Sequence, residues 1–428
     1  MPPRLEERPI RIVVRDEELR RSRLTVFLRL LLALPHLVWL SLWGIAASFA
    51  AIALWLGVVI EGKAPESLHD FVARYLRYAT HVATFVFLAA SPFPGFGGAP
   101  GYPVDVEIDP PARQSRWTGF FRLVLALPAA LLASALGAGL AWTALAGPYV
   151  IAAVFLTGGG VAGAAALLTW FAALVRGRAP RGLRDLTAYA LGYSAESAGY
   201  GLLLTGRYPS TDPALAEPYA PLPEHAVRIS VTDELARPRL VVLFRLLLAF
   251  PHFFWLALWG LAVFFTVIAA WLAALAVGRV PPALHRFLAA YVRYATHVFA
   301  FTALVGRRFP GFTGRVGSYQ IDVELPGPVP QRRIGVLGRL LLAIPALLVA
   351  NALGTALWVA AFLAWWYAIV RGRMPEGLRN LGASCLRYNA QTYAYLLLVT
   401  PEYPYAGPVL PRPARREPLP SFVPGDAF

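Results

Sequence analysis

The chain repeats itself, and the repetition constrains its fold more than any motif does. The stretch from Arg11 to Phe96 returns as Arg228 to Phe312, and His81 becomes His297, an offset of 216 residues. LPHLVWLSLWG at 34–44 becomes FPHFFWLALWG at 250–260, and RYATH at 77–81 recurs unchanged at 293–297. Each half holds a second, more diverged copy. RLLLALP at 29–35 matches RLVLALP at 122–128, RLLLAFP at 245–251 and RLLLAIP at 339–345. Every copy later has a Gly, two residues and a Pro: Gly62 to Pro65, Gly177 to Pro180, Gly278 to Pro281 and Gly372 to Pro375. Four units follow, roughly 10–96, 102–209, 227–312 and 319–404. They group into halves 1–213 and 214–428, joined by a Pro- and acid-rich linker from Ser210 to Glu224. A repeat of this kind sets the architecture before any local assignment.

The units are apolar. The chain is 57% hydrophobic and 15% charged, with a mean hydropathy of +0.55, where a soluble domain carries about 25% charge. Net charge is +15, almost all of it from Arg. In a soluble protein that excess suggests nucleic acid. Here the arginines flank apolar segments, so membrane lipids with anionic headgroups are the expected partners and nucleic acid is not. The single cysteine, Cys385, excludes an intramolecular disulfide. Residues 1–23 are charged throughout and do not read as a cleavable signal.

Each unit opens on a short alternating segment, such as YPVDVEI at 102–108 or YQIDVEL at 319–325, which reads as a half-exposed strand. In the first unit a basic apolar stretch, Arg20 to Leu34, is expected to form an interfacial helix ended or kinked by Pro35. His36 to Ile60 is nearly uncharged and long enough to span about 30 Å of hydrocarbon. After the Gly-x-x-Pro turn, a return helix is expected from Glu66 to Ala90. The resulting expectation is an all-α integral membrane protein: a tandem-duplicated transmembrane bundle of about eight spans, with short β segments on one membrane face. It sits in the cell membrane as a multi-pass protein. Counting Lys and Arg outside the spans places both termini on the cytoplasmic side.

The return helix carries the clearest functional signal. Asp70, Arg74, Arg77 and His81 fall on one helical face. The matching positions hold Asp185, Tyr189, Gly192 and Glu196; Arg286, Ala290, Arg293 and His297; and Asn380, Ser384, Arg387 and Gln391. Ionisable groups at membrane depth usually face a bundle interior or a wet cavity. The stripe therefore reads either as a polar face near headgroups or as a core for a proton, ion or small solute. Arg29, Arg122, Arg245 and Arg339 each precede the helix proline by six residues. They are expected to contact lipid phosphate by snorkelling, in preference to pairing inside the protein.

Other motifs carry less. Six of the seven histidines form pairs, His36/His252, His69/His285 and His81/His297. No Cys or HExxH pattern accompanies them, and neither metal nor cofactor is expected. Gly158 to Gly160 lack the context of a phosphate loop. They belong to an apolar insertion of 22 residues in the second unit, about Gly139 to Gly160.

The strand, the RLLLALPH run, the Trp-rich span, GxxP and a closing RYP or RFP together resemble the DUF4389 family, bacterial membrane proteins of unknown function. The resemblance covers nearly the whole chain as four tandem units. Units two and four depart from it, with Ala129 and Ala346 in place of the histidine after the proline. It implies a fold unit and no catalytic residues. The expected role is a membrane scaffold or partner protein, with a transporter or channel using the stripes as the competing class and a membrane-embedded cofactor-binding protein or enzyme third.

Overall fold

The computed structural model describes residues 8–15, 19–137, 160–213, 224–409 and 412–413. All four units follow one plan: a strand, a one-turn helix, a long helix and a return helix. The first comprises β1 (Ile10–Val14), α1 (Arg23–Phe27), α2 (Arg29–Glu61) and α3 (Glu66–Val86). The second comprises β2 (Val104–Ile108), α4 (Arg116–Phe120), α5 (Arg122–Gly137), α6 (Gly160–Arg176) and α7 (Arg181–Gly201). The third comprises β3 (Arg228–Val231), α8 (Arg239–Leu243), α9 (Arg245–Val277) and α10 (Pro282–Thr302). The fourth comprises β4 (Ile321–Glu324), α11 (Arg333–Leu337), α12 (Arg339–Arg371) and α13 (Glu376–Leu396), followed by β5 (Arg412–Pro413).

The helix start differs from the sequence expectation. Pro35 lies inside α2, and the chain breaks earlier, at Leu28, between α1 and α2. A proline in the second turn forfeits one backbone bond, but Arg29 is anchored by tertiary bonds described below and holds the first turn. The long helices end as expected: Gly62 adopts φ +74°, and its N–H caps the Val58 carbonyl. The left-handed residue at this position suits Gly because it has no Cβ to clash.

α2, α9 and α12 have 33 residues each, about 50 Å at 1.5 Å per residue. These three helices are long and apolar enough to cross a membrane. Each exposes an apolar stripe along its length; in α2 it runs through Leu31, Val38, Ile45, Phe49, Ile52 and Ile60. The return helices have 21 residues each, and their side chains are mostly buried.

The long helix of the second unit is split. α5 and α6 have 16 and 17 residues, together the 33 of the others. A Cβ added at Gly160 would lie 2.4 Å from the Ala135 carbonyl oxygen, so the start of α6 abuts the end of α5. Arg122 on α5 bonds Thr205 O as Arg339 on α12 bonds Thr400 O. Trp170 on α6 bonds Val26 O as Trp365 on α12 bonds Val242 O. The two pieces therefore fill the place of one helix. Apart from Gly160, the expected insertion lies outside the described residues.

Within each half the two units run in opposite directions. Arg21 N donates to Gly177 O, so the start of the first unit meets the end of α6. Gln114 N donates to Gly62 O, so the start of the second meets the end of α2. The second half repeats both bonds, Arg237 N to Gly372 O and Gln331 N to Gly278 O. β1 pairs antiparallel with β2, Ile10 opposite Ile108, and β3 with β4, Arg228 opposite Glu324. β5 adds a parallel strand to β3. The lysine and arginine count above requires every Gly-x-x-Pro turn to lie on one side, whereas the opposed units put alternate turns at opposite ends of the half. The strand is the reason. The segment that carries it, from Ala90 beside Arg29 at the start of α2 to Gln114 beside Gly62 at the end of α2, crosses the half, which makes an odd number of traverses per unit.

The sheets lie on the return helices. Ile10 and Ile12 of β1 fill the space over Gly199 and Gly192 of α7, where a Cβ would come within 2.1 and 2.8 Å of them. The halves meet where α12 packs on α5 and α6.

Candidate functional site

The polar positions of the sequence come together as stations along the return helices. The first is at the end of each one. Leu88, Leu203, Leu304 and Leu398 all adopt φ near +62°, a conformation unusual for Leu. The turn aims successive carbonyls inward. Arg29 Nη2 donates to Ala90 O at 2.7 Å, Arg122 Nη1 to Thr205 O at 3.1 Å, Arg245 Nη2 to Gly306 O at 2.6 Å, and Arg339 Nη1 to Thr400 O at 3.2 Å. Each guanidinium also lies over an aromatic ring of the return helix, Phe85, Tyr200, Phe301 or Tyr395, at 4.1–4.5 Å. All four arginines are at most 3% exposed. This corrects the expectation that they contact lipid phosphate. A cation at a helix C-terminus is held by the exposed carbonyl dipoles and by the ring face, so it needs no phosphate.

Neighbouring residues complete these turns. Arg21 Nη2 donates to Ala89 O, and Arg237 Nη2 to Val305 O. Gln114 Nε2 donates to Leu203 O, and Gln331 Nε2 to Leu398 O. His69 Nε2 donates to Leu204 O, and His285 Nε2 to Val399 O, tying an odd unit to the even unit of its half.

The second station is the last stripe position. His81 Nε2 lies 2.7 Å from Asp105 Oδ1 on β2, and His297 Nε2 lies 2.9 Å from Asp322 Oδ1 on β4. An ionised carboxylate only accepts, so the imidazole donates. Arg77 and Arg293 stand beside these carboxylates at 3.8 and 3.5 Å and donate to Val106 O and Val323 O. Burial pushes the Asp105 and Asp322 carboxyls up, but the imidazole bond and two backbone amides outweigh it and leave both below the usual range.

In the even units the same position holds the following chain. Glu196 accepts from Ser210 N at 2.9 Å and pairs with Arg8 at 3.3 Å. Gln391 accepts from Tyr405 N and donates to Val227 O. Arg387 donates to Tyr405 O and Gly407 O. A cavity of ≈ 30 Å³ lies beside Glu196, lined by Arg8, Thr205 and Ser210, room for a water or two.

The rest of the stripe does not converge. Asp70, Arg74 and Arg286 are exposed. Asp185 pairs with Arg184 at 2.6 Å. His36 and His252 lie elsewhere, 2.7 Å from the Tyr78 and Tyr294 hydroxyls and stacked on Phe96 and Phe312. Among the described residues no group of three His, Cys, Asp or Glu is placed to hold a metal ion.

Sequence reasoning missed Asp105, Asp322, Gln114, Gln331 and the four leucines. The two aspartates were visible as recurring strand acids, but strand alternation accounted for them equally well.

The family described as a domain of unknown function, DUF4389, matches the chain four times, at residues 23–96, 148–211, 239–313 and 333–406. The chain belongs to the DUF4389 family. Three of the DUF4389 matches begin at or near the one-turn helix, and all four end beyond the leucine turn. The second begins at 148, within the insertion, and omits α4 and α5, the front of that unit. No curated protein matches the chain, and no solved structure does.

Proposed function

We propose that this DUF4389 chain is a multi-pass integral membrane protein of the cell membrane, acting as a scaffold and not as a conduit. The observation that carries the reading is how the polar stripe is used. Its buried members, His81, Asp185, Arg293, His297, Arg387 and Gln391, and the half-buried Glu196 are bonded to backbone or side chains of the same chain. A transport path needs polar groups free to meet a solute; these groups are spent on joining helices, strands and tails. The long helices meanwhile offer apolar stripes to their surroundings. In this reading α2, α9, α12 and the α5–α6 pair face lipid, and the return helices form the polar interior behind them. Because paired units run oppositely, a one-sided arginine count no longer chooses a side for the termini.

The test is twofold. The chain should stay with the membrane fraction through alkaline carbonate and float with liposomes. Proteoliposomes should show no protein-dependent flux of protons, alkali cations or small neutral solutes. Reproducible flux lost on Glu196→Gln would replace the scaffold reading with the transport one.

A further inference from the structure

We propose that the junction between the two units of each half is a binding site for an anionic phospholipid. The site comprises Arg239, Arg371 and Arg373 in the second half and Arg23, Arg176 and Arg178 in the first. The inference rests on the membrane reading above and names a lipid partner for it.

The inverted pairing of units builds the site. In the second half Arg239 Nη2 donates to the Val370 carbonyl in the last turn of α12 at 3.0 Å. Arg371 is the next residue, and Arg373 is bridged to Ala236. Backbone geometry thus brings three exposed arginines onto one helix end. The nearby acids are engaged elsewhere: Asp233 with Arg237, Glu234 with Arg307, and Glu376 with Arg379. Like charges held together repel, and a bound anion relieves the repulsion. The α12 C-terminus favours the cations, but its partial charge is too small to neutralise three of them.

What surrounds the cluster selects the anion. Leu240, Leu243, Phe362, Trp366 and Val370 are exposed beside it, Leu240 at 72% and Val370 at 67%. A soluble anion or a nucleic acid would leave that surface in water. A phospholipid covers both parts, phosphate on the guanidinium groups and acyl chains on the apolar stripe. The first half repeats the arrangement. Arg23 Nη2 donates to Val175 O at 3.1 Å, Arg178 is bridged to Arg20, and Leu24, Phe27, Phe171 and Val175 are exposed nearby. At the other end of each half the positions matching Arg176 and Arg178 hold Glu61 and Lys63, or Val277 and Arg279. Arg333 donates to Ala276 O there at 2.8 Å, as Arg239 does to Val370 O, but with Val277 in the place of Arg371 that end lacks the third arginine; the three-arginine site is therefore one-ended, two per chain.

Native mass spectrometry of the full chain released from nanodiscs tests this. Two phosphatidylglycerol molecules should be retained per chain, and phosphatidylcholine should not be. Arg371→Gln with Arg373→Gln should leave one, its partner site weakened roughly fivefold per charge removed. Adding Arg176→Gln and Arg178→Gln should leave none, while Arg113→Gln with Arg332→Gln keeps both. Arg371→Lys with Arg373→Lys keeps the charge and should retain phosphatidylglycerol, which separates charge from a folding defect. Equal retention of the two lipids, or unchanged retention in the fourfold Gln variant, overturns the site. Competition by millimolar inorganic phosphate overturns the lipid as its source. A wild-type chain that fails to float with liposomes sinks the membrane reading instead.

Discussion

His81 and Asp105 meet at 2.7 Å, imidazole Nε2 to carboxylate Oδ1, and the contact joins the return helix of one unit to the strand of the next. His297 and Asp322 make the same joint in the second half. Both joints are buried, and each carboxylate also takes two backbone N–H bonds: Gly101 and Val106 on Asp105, Gly317 and Val323 on Asp322.

Asp105→Ala strips the partner from a buried imidazole and from both amides. It should cost about 1–3 kcal/mol, read as a lower melting temperature in detergent, with Asp105→Asn milder. The pH dependence has a definite sign. A carboxyl held below its unfolded value of 3.8 stabilises the fold above that pH, and the contribution is lost as pH falls through the folded value. Melting temperature should thus fall more steeply below about pH 4 in wild type than in Asp105→Asn/Asp322→Asn. Parallel curves would refute the joint.

Arg29→Met leaves the Ala90 carbonyl without its buried donor. The expected loss is about 1–3 kcal/mol, and Arg29→Lys should not restore it, because an ammonium lacks the planar fork and the ring stacking. Arg77→Leu should lower the melting temperature by a similar or smaller amount. Arg74→Gln, on the exposed end of the same stripe, should be silent. A silent Arg29→Met would return that arginine to the surface.

Deletion of residues 138–159 should give a folded protein. Gly137 and Gly160 match Gly354 and Thr355, consecutive residues inside α12, and Gly160 already abuts Ala135. Size-exclusion chromatography should show a monodisperse product that melts within a few degrees of wild type. An aggregated product would mean that α5 and α6 are not one interrupted helix.

Cysteines at Ala236 and Arg373 should form a disulfide on mild oxidation, since the two are antiparallel bridge partners and such pairs fall within disulfide reach. The native Cys385 is fully buried and should stay out of the exchange. A pair at Ala236 and Arg279 should not close, because Arg279 follows the far end of its own unit's long helix. The reverse pattern on a non-reducing gel after proteolysis would overturn the opposed direction of the units.

The sequence by itself determined what is local or repeated. Recurrence of RLLLALP and of Gly-x-x-Pro delimited the four units. Apolar runs marked the long helices, and the Gly after each run marked its end, because helix periodicity and left-handed backbone preference act over a few residues. The stripe ending at His81, Glu196, His297 and Gln391 was legible for the same reason. Tertiary structure decided how the units face one another and where their charges point. Arg29 and Arg23 look alike in sequence, both basic residues ahead of an apolar run. Yet one is buried on the end of a return helix and the other is exposed at the end of α6. Direction depends on bonds between residues more than 100 apart, such as Arg21 N to Gly177 O and Arg237 N to Gly372 O. No local period encodes such bonds. A short strand within a segment that crosses the half reads the same as one within a segment that turns back, and that single difference inverts every second unit.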